Sequence, residues 1–70
     1  MYCIRYLQLG IWHYLAIGTD YEPFFYPSIN TAYVLENEAV ARAMMSFIEK
    51  IPGYSGYNME VLCLTTPPQK

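Results

Sequence analysis

The chain has 70 residues, 54% of them apolar and 14% charged, with four Lys/Arg against six Asp/Glu. That length allows one domain, whose folding hides roughly 60% of the surface the unfolded chain exposes, and the apolar fraction excludes a disordered tail. A formal charge of −2 and a pI near 5.1 argue against nucleic-acid binding, which rests on Lys/Arg neutralising phosphates.

Residues 2–9 and 11–17 are rich in aromatic and branched side chains and are separated by Gly10, so they read as two strands joined by a tight turn. Neither Leu9-Gly10 nor Gly10-Ile11 is a favoured hairpin dipeptide, which leaves the turn type open. Residues 18–31 carry Pro23 and Pro27 and read as a loop of about fourteen residues, long for so small a domain. The loop also holds Tyr21, Phe24, Phe25 and Tyr26; a solvated linker would not, so it must dock on the body or on a partner. Tyr33–Leu35 can form an extended lead-in. Asn37 is a good N-cap and Glu38 suits the first turn of a helix. The helix is expected over 38–50, with Val40, Ala43, Met44, Phe47, Ile48 and Ile51 on one stripe and Glu38, Arg42 and Glu49 opposite. Pro52-Gly53 ends it. Residues 57–64 read as the last strand, and 67–70 as a fraying tail on a single domain of residues 1–66.

The order β-β-α-β implies an α+β fold: a small antiparallel sheet of order 2-1-3 with one helix on one face. Placing Cys3 directly opposite Cys63 on neighbouring strands makes the odd-numbered face of the first strand the floor for the helix, with Val40, Met44, Phe47 and Ile51 buried on it. The opposite face would then carry Tyr2, Ile4, Tyr6, Leu62 and Leu64. That is too apolar for a solvated face, so the aromatic loop or another protein should cover it.

No catalytic, cofactor or metal constellation emerges. The chain has no phosphate loop, HExxH or calcium loop, and its single His and two Cys cannot complete a zinc site alone. His13 reads as a half-buried sheet residue rather than a general base. Asp20 and Glu22 read as solvated loop carboxylates. A Cys3–His13 dyad lacks any sign of a lowered thiol pKa. Both cysteines read as buried free thiols of a cytoplasmic protein, since the N-terminus has no signal-like pattern and no apolar run spans a bilayer. The outlier is eight tyrosines. They serve either as bulky core or as contact area, because Tyr is enriched at interfaces. Stacking on single-stranded nucleic acid needs Lys/Arg between the rings, and only Arg5 lies in the strands. The candidate partner contacts are Tyr6, Tyr21, Phe24, Phe25, Tyr26 and Met45, the last at the edge of the polar helix stripe.

The run Asn30-Thr31-Ala32-Tyr33-Val34-Leu35, then Asn37-Glu38-Ala39, the helix and a closing strand resembles small phage and mobile-element proteins of the anti-CRISPR and anti-defence inhibitor type. The resemblance implies a single compact domain without catalytic residues that blocks a host complex by binding it. The six acids are too few for the DNA-mimicking members, which points to steric blocking. The second expectation is a homodimeric accessory module with an aromatic sheet face as its interface. Neither expectation involves a cofactor, nucleic acid or a membrane.

Overall fold

A computed structural model describes residues 1–65; the tail expected at 67–70 lies outside them. Four strands, β1 (Tyr2–Gln8), β2 (Ile11–Ile17), β3 (Pro23–Tyr26) and β4 (Glu60–Cys63), form one antiparallel sheet of order β3-β2-β1-β4. One α-helix, α1 (Glu38–Glu49), packs on β1 and β4, and a 3-10 turn at Ile29–Thr31 lies against β2. The fold is therefore α+β, but the order is not the expected 2-1-3, and β-β-α-β becomes β-β-β-α-β. The addition is β3, taken from the segment that reads as loop.

Prolines hid this strand, and the register explains why they are tolerated. The carbonyl of Met1 accepts from Leu64 N–H, so odd-numbered residues of β1 bond towards β4 and even-numbered ones towards β2. Counting across the registers, Phe24 and Tyr26 bond to β2, while residues 23, 25 and 27 turn their backbone groups outward. Pro23 and Pro27 thus sit where a missing N–H breaks no ladder bond. The outward carbonyl of Pro23 accepts from the Tyr54 hydroxyl at 3.1 Å.

The two-residue turn of the first hairpin places Leu9 (φ 53°) and Gly10 (φ 78°) both in the left-handed region, the type I′ geometry that matches strand twist. Leucine is poorly suited to it and is 94% exposed there. Leu9→Asn should add about 1 kcal/mol, because Asn tolerates this conformation. Its melting temperature should rise by about 4–8 °C, and an unchanged value in thermal unfolding would refute the strained turn.

The register of β4 corrects the sequence reading. Cys63 lies opposite Tyr2, and Cys3 opposite Leu62, one residue from the expected pairing. A slip of one residue exchanges the faces. The helix floor is therefore Tyr2, Ile4 and Tyr6 with Val61 and Met59, not the odd face of β1. Leu15 and Phe25 continue it across β2 and β3. Both cysteines are free thiols, but only Cys3 is buried as expected, on the far face; Cys63 is exposed, because the register turns it to the helix side at the end of the edge strand.

On α1, Asn37 Oδ1 accepts from the N–H groups of Ala39 (2.7 Å) and Val40 (3.3 Å), and Arg42 bonds Glu38 one turn away at 2.8 Å. The helix is rotated from expectation. Ala41 and Ile48 are buried, and Met44, Met45 and Ile51 pack beside them, while Val40 and Phe47 are 51% and 68% exposed. Alanine at the centre of the buried stripe lets the helix lie close to the sheet, which turns Phe47 out to the side.

α1 covers only part of the floor. The chain after it, Ile51–Tyr57, lays Tyr54 and Tyr57 over the rest. Tyr6 meets Tyr57 at 4.4 Å and Phe25 at 4.8 Å between ring centroids, and Tyr54 lies 5.6 Å from both Phe25 and Tyr57. On the far face the segment after β3 crosses β2 to reach the gap where β1 and β2 part. There Tyr33 N–H donates to Leu15 O, and Leu35 exchanges two bonds of 2.7 Å with Tyr2. Cys3 and Ala16, both on this face, are buried; their small side chains permit the crossing.

Candidate functional site

The six expected contact residues divide. Tyr6 is 8% exposed and sits in the aromatic core, Phe25 packs in the same group, and Met45 is half-buried against it. This corrects the placement of Tyr6 on an open face: the register turns its ring under the tyrosines that follow α1. A ring committed to the core has little area to offer a partner. Tyr21, Phe24 and Tyr26 are exposed, Tyr21 at 88%. They cluster around β3.

Tyr21 closes the turn between β2 and β3. Its N–H donates to Gly18 O at 3.0 Å, and Gly18 N–H donates to Glu22 O at 2.8 Å. Tyr21 has φ 59°, a left-handed conformation that costs a bulky residue on the order of 1–2 kcal/mol. The ring borders a shallow apolar cleft of about 150 Å³ lined by Ile17, Tyr21, Pro23, Met44, Phe47 and Ile48. Phe47, turned out by the rotation of α1, forms the other lip. On the opposite side of β3, Phe24 and Tyr26 meet edge-to-face with centroids 6.1 Å apart. The β3 end of the molecule therefore carries exposed rings on both faces. Because Pro23 and Pro27 blunt its edge, the β3 rim presents side chains rather than a backbone ladder. Sequence reading missed Phe47 by assigning it to the core; its place on an apolar arc wider than the sheet could cover was the available signal.

The far face is also only partly covered. Leu7 is 54% exposed, and Trp12 and Tyr14 are half-buried. Its charges are internally matched: Arg5 lies 3.6 Å from the Trp12 ring centroid and pairs with Glu60 at 2.8 Å.

Catalytic chemistry is not assembled from the residues considered. Cys3 and His13 project from opposite faces of the sheet, which rules out that dyad. Burial raises the Cys3 thiol pKa, outweighing the lowering by Arg5, the reverse of an activated nucleophile. His13 is half-buried and stacks on Tyr6 at 5.2 Å, while Asp20 and Glu22 are exposed. Among the described residues no cluster of three His, Cys, Asp or Glu could hold a metal, and no helix is long and apolar enough to cross a membrane.

Burial likewise raises the Tyr6 pKa, with Tyr57 and then Tyr54 adding to it. For both groups the unfolded chain releases its proton at lower pH than the folded one. Stability is therefore fully retained below the ordinary thiol value of 9.0 and falls as pH rises past it and past 10.0 for the phenol. Urea midpoints should hold from neutral pH to about 9 and decline above it. In the native protein, alkylation should modify Cys63 and spare Cys3; rapid labelling of both would contradict the buried placement.

The chain matches no family model, no curated protein and no solved structure.

Proposed function

We propose that this protein is a small non-catalytic binding protein that blocks a host macromolecular complex, in the manner of anti-CRISPR and other anti-defence inhibitors, and that the aromatic rim around β3 is its contact surface. Tyr21 carries the assignment of the surface. A tyrosine held in a costly backbone conformation and almost wholly exposed contributes nothing to the core that a glycine or asparagine would not improve. Strained residues of this kind concentrate at binding sites, and tyrosine is among the residues enriched as binding anchors. Exposed Phe47 stands with it at the cleft on the helix side, and exposed Phe24 and Tyr26 extend the rim on the other side of β3. The blocking role is supported by the resemblance of the 30–39 segment and helix to such inhibitors.

The test is phage plating on bacteria that carry an active CRISPR–Cas or other defence system against that phage, with and without this protein expressed. Plating should recover for at least one system. Unchanged plating across all systems would overturn the blocking role. Self-association is the second reading, and the observation favouring it lies at the opposite edge of the sheet.

A further inference from the structure

The two edges of the sheet are built differently. At β3 the outward positions are Pro23, Phe25 and Pro27, and the Pro23 carbonyl is taken by Tyr54. At β4 the even-numbered residues bond to β1, so Val61 and Cys63 turn their N–H and C=O groups outward. Among the described residues nothing accepts from or donates to them. Among the described residues this edge is protected only by its four-residue length: no proline, lysine or unpaired charge lies in β4, whose one acid, Glu60, is held by Arg5.

We infer that β4 is a self-association edge, at which two copies of this chain pair antiparallel about a two-fold axis through Leu62 to form a continuous eight-stranded sheet. That register is self-complementary. Val61 of one copy faces Cys63 of the other, and the outward groups of both residues are satisfied in both copies. Leu62 meets its symmetry mate on the far face. Glu60 falls opposite Leu64 rather than another Glu60, so no like charges are juxtaposed. Among the described residues, the ionic groups at the seam are the two internally matched Arg5–Glu60 pairs. Self-pairing therefore needs no charge complement from another protein. The β3 rims would then stand at the two far ends of the dimer, and this inference is independent of what they bind.

Light scattering on the full chain should give twice the 8.1 kDa chain mass at high concentration, dissociating on dilution. Cys63→Pro removes an outward N–H without touching the β1 ladder, and should weaken the dimer at least roughly tenfold while preserving the fold. As a second variant, Leu62→Cys with Cys63→Ser and with Cys3→Ala, which removes the thiol that faces position 62 within the same chain, places a thiol opposite its symmetry mate, about 4.5 Å away between α-carbons in such a pair; mild oxidation should link it into a covalent dimer. A monomer at every concentration would overturn the inference. So would a dimer that survives in folded Cys63→Pro protein, or a Leu62→Cys dimer that does not cross-link.

Discussion

Ile48→Ala is expected to lower stability by about 2–5 kcal/mol, whereas Phe47→Ala should change it by less than about 1 kcal/mol. Ile48 is 2% exposed and lies in the central apolar cluster. Its removal leaves a cavity between α1 and the sheet in a chain whose total stability is on the order of 4–10 kcal/mol at this length. Phe47 is the larger side chain and the more apolar by area. Propensity and size alone would rank it first, but at 68% exposure most of its surface already meets water. Urea denaturation of the two variants therefore reads the rotation of the helix directly. Equal losses, or a larger loss at Phe47, would mean that α1 presents the stripe through Val40 and Phe47 to the sheet.

The second large effect belongs to β1. Tyr6→Ala should cost about 3–5 kcal/mol, the range for losing a buried ring. It removes the ring that touches both Phe25 and Tyr57 and leaves Gln8 Oε1 without its donor. Leu7→Ala, one residue along on the other face and 54% exposed, should fall within about 0.5–1 kcal/mol. The contrast tests strand register. Had Cys3 faced Cys63, the two effects would be exchanged.

These contrasts also show which signals the sequence held clearly. The helix and its cap were legible because Asn37 and Glu38 have few alternatives to a helix start, and because Pro52-Gly53 follows. The rotation was not. The apolar arc from Ala43 through Phe47, Met44 and Ile48 to Met45 spans more than half the helix circumference, and a small sheet covers only part of it. The register failed for a similar reason: both faces of β1 carry large apolar residues. The discriminating signal was Arg5, which sits comfortably only where Glu60 faces it. The strand β3 was masked by prolines whose positions make sense only once the ladder on the other side is known. Tyr54 and Tyr57 read as turn and strand residues, although a turn bearing tyrosines beside a helix too short to cover its sheet belongs to the covering layer. Of the proposed rim, Tyr21, Phe24 and Tyr26 were singled out from the improbability of a solvated aromatic loop, and their exposure agrees with that reading without testing it, whereas exposed Phe47 was assigned to the core.

The central claim, that the rim around β3 binds while the aromatic interior folds, is tested most directly by one protein, Tyr21→Asn with Phe47→Ala. Asparagine keeps the left-handed turn and removes the ring, and Phe47 is outside the core. Phage plating under the defence system that the wild-type protein relieves should return to the level without inhibitor, with the melting temperature within a few degrees of wild type, as expected for surface changes of this size. A folded variant that still restores plating as the wild type does would show that the contact lies elsewhere.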